Sequence, residues 1–218
     1  MAKSGTPSTV VERGSARSAD TRRQLVRAAV EPLQTEGYAG ASARSIAERA
    51  GVNQGLVFYH FGSVANLLLA ALDAVSAERM DRYRAAAEGA ASPTELVDVA
   101  SSIFREDLDA GYVTVLVEMI AGASATPGLG AEVTARIGPW FEFAQRAIER
   151  TLGGTPLESI LPPADVAYGV VALYLGLEML SHLTGDSERG LALFSHAAQL
   201  AGLLTALSAP SPPPRETP

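Results

Sequence analysis

The chain has 218 residues, of which 47% are hydrophobic, 6% aromatic and 19% charged, and it contains no cysteine. This composition is typical of a soluble globular protein that is long enough for one large domain or for two. Without cysteine the chain forms no disulfide bond and no thiolate metal site, which is compatible with a reducing cytoplasm. The three histidines are isolated and no glycine-rich phosphate loop is present, so we expect no metal and no cofactor. The N-terminus has no apolar stretch, and no secretory signal is expected.

The net charge of −7 is divided unevenly along the chain. Residues 1–66 hold eight basic and five acidic side chains, a balance of +3, whereas the remaining residues hold nine basic and nineteen acidic side chains, a balance of −10. A basic head on an acidic body is expected where only one end of a protein approaches phosphates. A chance distribution of surface charge would also produce such a division.

Helical periodicity dominates the N-terminal third of the chain. Residues 1–17 are rich in Ser, Thr and Gly without periodicity, which predicts a disordered arm. Apolar residues at helical spacing then predict a first helix from after Ser18 to a stop at Gly37. Two short helices are predicted at 44–50 and 54–61, and a long helix at about 63–88.

The remaining predicted elements are also helical. Ser92 followed by Pro, Thr and Glu is typical of a helix start, with a serine cap and proline at the first helical position. Breaks are predicted at Gly111, at 126–130 and at 153–154, an apolar helix at 163–183, and a last helix that ends near 207. The proline-rich tail 209–218 is predicted to be disordered. No alternation of period two occurs, so the predicted fold class is all-α.

The stretch 42–61 meets the requirements of two helices that cross over a tight turn. Ala47 is small enough for the second helix to pack on it, and Gly51 falls where the backbone must be left-handed. Ile46, Val52 and Val57 supply the apolar contacts of the crossing. We therefore predict an N-terminal three-helix helix-turn-helix DNA-binding domain at 18–66, with a larger helical domain at 67–208 for effector binding and dimerisation.

The polar residues of this motif are candidates for DNA contact. The Gln54 amide matches adenine, the Arg44 guanidinium matches guanine, Leu56 can touch a thymine methyl, and Tyr59 lies at a position suited to phosphate. A solvated face is the alternative for each polar residue alone, and packing beneath the first helix is the alternative for His60. The candidate DNA contacts are Arg22, Arg23, Ser42, Arg44, Asn53, Gln54, Gly55, Leu56, Phe58, Tyr59 and His60.

Residues 18–72 resemble the DNA-binding domain of the tetracycline-repressor (TetR) family of bacterial regulators. The matching residues are Glu36-Gly37-Tyr38, Ser42, Ile46-Ala47, Ala50-Gly51-Val52, Val57-Phe58-Tyr59-His60-Phe61, Ser63 and Leu67-Leu68. The resemblance implies a homodimer on a near-palindromic operator, repression relieved by a small ligand, and no catalysis.

One position departs from the family pattern. Where the family has a lysine that grips phosphate at the start of the fourth helix, this chain has Val64. Phosphate anchoring would then depend on Arg22, Arg23, Tyr59 and the N-terminal arm.

The last two predicted helices are apolar on more faces than a monomer can bury. A seam of small residues on one and an apolar stripe on the other predict a two-fold four-helix interface, with packing inside one chain as the alternative. The candidate interface residues are Gly169, Ala172, Gly176, Phe194, Ala197 and Ala201. The stretch 164–183 is long enough for a membrane span, but Glu178 inside it would be costly there, so we expect no membrane association.

Aromatic and polar residues are mixed in the rest of the body, as expected for an apolar cavity with a few polar anchors or for an ordinary core. Glu118 lies in an apolar run, where a carboxylate needs a partner or a ligand, and an ion pair is its alternative. The candidate ligand contacts are Phe104, Tyr112, Glu118, Met119, Trp140, Phe141, Tyr174 and Glu178.

The predicted function is that of a cytoplasmic, dimeric transcriptional repressor that a small, largely apolar effector releases from double-stranded operator DNA. A non-specific architectural DNA-binding protein is one alternative, although it would need a more basic chain. An all-helical enzyme acting on a small molecule is the other. Ser181 and His182 are adjacent on one helix, about 100° apart around its axis, so they form no catalytic pair, and we expect no enzymatic activity.

Overall fold

The computed structural model describes residues 8–153, 160 and 162–208. Within these residues the secondary structure is entirely helical, which confirms the predicted all-α class. The helices are α1 Ser8–Thr35, α2 Gly37–Gly40, α3 Ala43–Arg49, α4 Gly55–Phe61, α5 Val64–Glu88, α6 Pro93–Ala110, α7 Tyr112–Ala123, α8 Leu129–Leu152, α9 Pro163–Thr184 and α10 Glu188–Ser208.

Helix boundaries agree closely with those predicted from local sequence signals. Ser92 caps α6, because its hydroxyl oxygen accepts a hydrogen bond from the backbone N–H of Glu95 at 3.2 Å. The breaks after α6 and α7 fall at Gly111 and within 124–128, as expected. The predicted tail 209–218 and the break at Gly154 lie outside the described residues.

The start of α1 differs from the prediction. The helix begins at Ser8, so residues 8–17 are helical and do not form a disordered arm, whereas residues 1–7 lie outside the described part of the chain. Side chains from Ser15 to Asp20 are exposed, and burial begins with Leu25. Each residue added to an existing helix gains one backbone hydrogen bond. The exposed first turns of α1 can therefore continue the helix that the buried part from Leu25 onward has nucleated.

The described residues form two compact units. The first unit contains α1 to α4, the part of α5 up to residue 77, and residues 114–134. By packing, the boundary therefore falls inside α5, between residues 77 and 78, and not at the predicted residue 66. The core of the first unit is formed by apolar side chains that are fully buried, among them Leu25, Leu33, Ile46, Val57, Leu67 and Leu68.

The second unit contains residues 78–113 and the described residues from 135 onward. Helix α10 packs along α6, and α9 also contacts α6. Phe104 of α6 is fully buried, with its ring centroid 5.2 Å from that of Phe194 in α10 and 5.7 Å from that of Tyr174 in α9. These rings join the three helices.

Helix α9 is long and apolar enough to cross a membrane by length and composition, although only 17% of its apolar stretch is buried in the protein. Helices α4 and α5 also meet that criterion when taken together, but a bend of 69° separates them. Core helices of soluble proteins meet the same criterion.

Candidate functional site

A reciprocal cap fixes the start of α3. The Ser42 hydroxyl accepts from the backbone N–H of Ser45, and the Ser45 hydroxyl accepts from the backbone N–H of Ser42, both at 3.1 Å. Two free N–H groups at the helix start are thereby satisfied. Ile46 is fully buried and Ala47 almost so, and Gly51 has φ +65°, as the sequence predicted. The side chain of Ser42 is exposed but already engaged in this cap.

Helix α4 is held by two buried residues and preceded by a turn that the Asn53 side chain closes. The Asn53 side-chain oxygen accepts from the backbone N–H of Gly55 at 2.7 Å. Val57 is fully buried and Phe61 nearly so. Because these two residues are one helical turn apart, the opposite side of α4 is left to solvent.

Several predicted DNA contacts on α3 and at α4 are open to solvent. Arg44, Gln54 and Gly55 are exposed, as are Phe58 and Tyr59, whose side chain is 78% exposed. Leu56 and His60 are partly buried, and the His60 ring lies edge-on to Tyr59 and Phe61, with centroid distances of 5.0 Å and 6.4 Å. Within the described part of the chain, the Arg44 guanidinium has no ion-pair or hydrogen-bond partner.

The predicted phosphate anchors lie on α1. The Arg22 guanidinium carbon lies 5.0 Å from the centroid of the Phe61 ring, a cation–π arrangement that ties α1 to α4. Arg23 pairs with Asp20 at 3.2 Å, with both side chains more than half exposed. Such surface pairs contribute little, so the guanidinium remains available to a stronger anion.

Ser63 and Val64 form the start of α5. The Ser63 hydroxyl accepts from the backbone N–H of Asn66 at 3.1 Å, and the Asn66 amide donates to the Phe61 carbonyl oxygen at 2.9 Å. Ser63 therefore caps the start of α5, and Val64, the position that departs from the family pattern, is partly buried.

Glu118 has a backbone partner inside the first unit. Its Oε2 accepts from the N–H of Tyr38 at 2.9 Å, the Tyr38 hydroxyl is 3.1 Å from the Thr126 hydroxyl, and the Tyr38 ring lies against Gly122. The carboxylate that the sequence left in need of a partner or a ligand is thus satisfied by the protein. Met119 is fully buried in the same unit.

A cavity of about 300 Å³ lies in the second unit, between α6, α8, α9 and α10. Its lining includes Tyr174 from the predicted ligand contacts, together with Phe194, Ala197 and Ala201, which the sequence had assigned to the dimer interface. Phe104 lies behind this wall, against Tyr174 and Phe194.

The cavity wall is almost entirely hydrocarbon. In the part of the chain that the structure describes, Thr151 and Tyr174 are the lining residues with polar side-chain atoms. Both are engaged, because the Thr151 hydroxyl donates to the Ala147 carbonyl oxygen at 3.2 Å and the Tyr174 hydroxyl donates to Asp107. None of the described lining residues carries a charge. This wall suits an uncharged, apolar occupant, because a charged one would lose its hydration without compensation.

Tyr174 connects the cavity to a buried polar cluster formed with Arg79, Tyr83 and Asp107. Arg79 Nε donates to Asp107 Oδ1 at 3.0 Å, and its Nη2 and the hydroxyls of Tyr83 and Tyr174 donate to the same carboxylate. Asp107 is fully buried and Arg79 nearly so. Burial and the Asp107 charge raise the pKa of Tyr174, which keeps its hydroxyl protonated as a donor.

Three aromatic rings surround the Arg79 guanidinium. Its carbon lies 4.8 Å from the centroid of Trp140, 5.5 Å from that of Tyr112 and 5.7 Å from that of Tyr83. Tyr112 and Trp140, predicted as ligand contacts, therefore flank this arginine and are not among the cavity-lining residues.

Glu178 belongs to the same region of the second unit. It is 4% exposed, and among the described residues its Oε1 has no hydrogen-bond partner. Burial, followed by the charge of Asp107, raises the pKa of Glu178 to about 8. The raised pKa favours the protonated form of this buried carboxyl, whereas Asp107 is the carboxylate that pairs with Arg79.

The sequence reasoning did not single out Arg79 and Asp107. A signal was present, because Arg79 continues the buried helical register of Leu72 and Val75, and Asp107 continues that of Phe104. A charged residue within an apolar helical stripe requires a buried partner. The sequence did not show which residue is the partner, because Arg79 and Asp107 are 28 positions apart.

The outer surfaces of α9 and α10 are apolar. Gly169 and Ala172 are exposed, and open space lies beside Gly176. Phe141 stacks on Tyr168, with centroids 5.5 Å apart and planes at 12°. The exposed large apolar residues of these two helices, which we call the α9–α10 face, are Tyr168, Val170, Leu173, Met179, Leu180, Leu183, Leu193, Leu200 and Leu203.

Known proteins resemble the chain in sequence at its N-terminal part. Residues 25–71 match the family model described as bacterial regulatory proteins, tetR family. The HTH-type transcriptional regulator BetI 1 of Chromohalobacter salexigens is 37% identical over 75 residues, which are 34% of this chain and 37% of that protein. The matched stretch thus spans little more than a third of this curated relative.

Solved structures resemble the chain over most of its length. A TetR transcriptional regulator from Chloroflexus aurantiacus superposes with a TM-score of 0.70 at 21% identity, covering 84% of this chain and 95% of that one. A TetR-family regulator from Cytophaga hutchinsonii has the same TM-score at 18% identity, covering 90% and 98%. Residues 25–71 are thus similar in sequence to the tetR family of bacterial regulatory proteins, and most of the chain shares the fold of these two solved structures.

Proposed function

We propose that the protein is a cytoplasmic transcriptional repressor that binds operator DNA as a homodimer and releases it when a small, uncharged, largely apolar effector occupies the cavity of the second unit. The observation that carries the DNA-binding part is the exposed side of α4. A short helix held by Val57 and Phe61 presents Gln54 and Tyr59 to solvent, next in sequence to a tight turn. This is the arrangement by which a recognition helix enters a major groove.

Within this proposal the exposed residues have different roles. Gln54 and Arg44 read base edges, because their planar groups match adenine and guanine. Arg22, Arg23 and Tyr59 contact phosphates and fix the register without reading sequence. Ser42 acts mainly by capping α3 and Asn53 by closing the turn before α4, since their side-chain oxygens already accept backbone N–H groups.

The proposed effector site is the cavity rather than the wider set of aromatic residues. Its uncharged wall favours a neutral molecule, and Tyr174 belongs both to this wall and to the Asp107 cluster. Arg79 and Tyr83 of that cluster lie on α5, whose first residues belong to the first unit. An effector that displaced Tyr174 would disturb α5, because Tyr174 shares the Asp107 carboxylate with Arg79 and Tyr83. A hundredfold loss of DNA affinity requires only about 2.7 kcal/mol of coupling free energy between effector binding and DNA binding.

The experiment on DNA recognition begins with duplexes selected from a random pool by the wild-type protein. Gln54→Ala should weaken binding to the selected duplex by about 1–3 kcal/mol and relax the preference at one base pair of each half-site. Gln145→Ala, a matched change in α8, should bind like the wild type. If the wild type selects no sequence, the architectural alternative is correct. Equal weakening of Gln54→Ala on selected and random duplexes would mean that Gln54 does not read a base.

The effector class is tested with two matched fluorescent probes. N-phenylnaphthylamine is neutral, and anilinonaphthalene sulfonate adds a charged group to the same ring system. The neutral probe should bind more tightly, because the cavity wall offers nothing to a sulfonate. Ala197→Trp, which places a large ring in the cavity, should abolish this binding. Tighter binding of the sulfonate would refute the proposed class.

A further inference from the structure

We propose that Glu178 determines the specificity of the effector cavity, by accepting a hydrogen bond from a neutral hydroxyl or N–H group on an otherwise apolar molecule. This inference rests on the proposed function, because it concerns the effector cavity of the second unit. It narrows the effector class from any uncharged apolar molecule to one that carries a hydrogen-bond donor.

The first observation is that the Glu178 carboxyl is buried with one oxygen unpaired. The residue is 4% exposed, and among the described residues its Oε1 is the buried side-chain atom that has no hydrogen-bond partner. The neighbouring polar groups are engaged, because the Asp107 carboxylate accepts from Arg79 and from Tyr174. A buried acceptor without a donor has lost its hydration without compensation. Because buried polar groups are normally paired, this atom points to a partner outside the chain.

The second observation is the position of Glu178 beside the cavity. It directly follows Leu177 on α9 and lies one helical turn after Tyr174, and both of these residues line the cavity. The Glu178 carboxyl also interacts with the Tyr174 hydroxyl, so it lies behind this part of the wall. Glu178 itself is not among the described lining residues. Since no hydrogen bond within the described chain holds Oε1, the carboxyl can turn toward the cavity when an occupant offers a donor.

The third observation is the contrast between this oxygen and the rest of the cavity wall. The two polar side chains that the structure describes in the wall, Thr151 and Tyr174, already form hydrogen bonds within the protein. The other described lining side chains are hydrocarbon, so a donor group of an effector would be buried against them without a partner. A site with a buried acceptor rejects an analogue that lacks the matching donor, because the acceptor is then left unpaired. One unpaired carboxyl oxygen beside an apolar wall therefore selects for a single donor on an apolar body.

The charges around Glu178 favour a neutral donor over a cationic one. Burial, followed by the charge of Asp107, raises the pKa of Glu178 to about 8, which favours the uncharged carboxyl. The positive charge of Arg79 acts on the same carboxyl and would oppose a second cation beside it. An uncharged carboxyl still has an oxygen that accepts a hydrogen bond. A hydroxyl or an amide-like N–H therefore suits this position better than an ammonium group.

The test compares two compounds of nearly the same shape, 2-naphthol and 2-methylnaphthalene. Both are uncharged at neutral pH, and a methyl group in the second compound replaces the hydroxyl donor of the first. Binding of each compound to the full chain is measured by isothermal titration calorimetry, and the quantity compared is the ratio of the two association constants. Because this ratio is compared between variants of one protein, the different hydrophobicity of the two compounds cancels.

Three variants isolate the contribution of the carboxyl oxygen. Glu178→Leu should lower the ratio of 2-naphthol to 2-methylnaphthalene affinity about tenfold, which corresponds to about 1.4 kcal/mol for the lost hydrogen bond. Glu178→Gln keeps an acceptor oxygen and should keep most of the preference. Glu142→Leu makes the same change at an exposed position of α8 and should leave the ratio unchanged. All three should be folded by circular dichroism, since Glu178→Leu removes a buried atom that is unpaired among the described residues.

The remaining outcomes separate this inference from the proposed function. An unchanged ratio in Glu178→Leu would overturn the inference and leave the effector cavity standing, because the donor would then be bound by another group. A ratio that falls equally in Glu178→Gln would show that the acceptor oxygen is not what is recognised. Binding of N-phenylnaphthylamine without binding of 2-naphthol by the wild type would also overturn the inference alone. If the wild type binds none of these compounds, the proposed effector cavity fails and the inference fails with it.

Discussion

Replacing Asp107 by Asn tests whether the buried cluster of the second unit is organised around one charge. The Asp107 carboxylate is fully buried and accepts four hydrogen bonds, two from Arg79 and one each from Tyr83 and Tyr174. The variant keeps the shape of the side chain but leaves the Arg79 guanidinium buried without its counter-charge. Breaking a buried pair in this way costs about 3–5 kcal/mol of unfolding free energy.

The double variant Arg79→Met and Asp107→Leu serves as the control. It removes both charges and fills the space with apolar groups, so it should recover much of the loss seen in Asp107→Asn, even though the two tyrosine hydroxyls lose their acceptor. Both variants are measured by urea unfolding of the full chain, followed by far-UV circular dichroism. A loss below about 1 kcal/mol for Asp107→Asn, or a double variant less stable than the single one, would refute this account of the cluster.

Three further changes test other parts of the structure. Burial raises the pKa of Glu178 from 4.5 to about 8, so between these pH values the folded state keeps a proton that the unfolded state loses. The unfolding free energy should therefore fall as pH rises from about 4.5 to 8. Glu178→Gln should flatten that slope in urea titrations at several pH values. Gly122→Ala should lower the unfolding free energy by about 1–3 kcal/mol in thermal unfolding, because its Cβ would lie 2.4 Å from Cγ of Tyr38. The control Gly138→Ala meets no neighbour, so it should leave the unfolding free energy unchanged or raise it by up to about 1 kcal/mol. Ser42→Ala should lose about 1 kcal/mol of stability in urea unfolding through its missing cap, and unchanged stability would show that the cap is dispensable.

The local elements of this fold could be predicted from the sequence because their causes are local. The Ser92 cap, the break at Gly111 and the left-handed Gly51 are each determined by a few neighbouring residues. The same holds for the division of α4 into a buried and an exposed side, since residues one turn apart share a face. The DNA-contact candidates follow from that division and remain predictions about function.

The tertiary structure decided what depends on residues distant in sequence. It assigned Glu118 to the backbone of Tyr38, 80 residues away, and turned Phe194 toward the cavity where an apolar stripe alone allowed either a partner helix or the interior. It also joined Arg79 to Asp107. A periodic pattern shows that a helix face is buried or that a charge needs a partner, but only the packing of helices from different parts of the chain selects which side chain meets it.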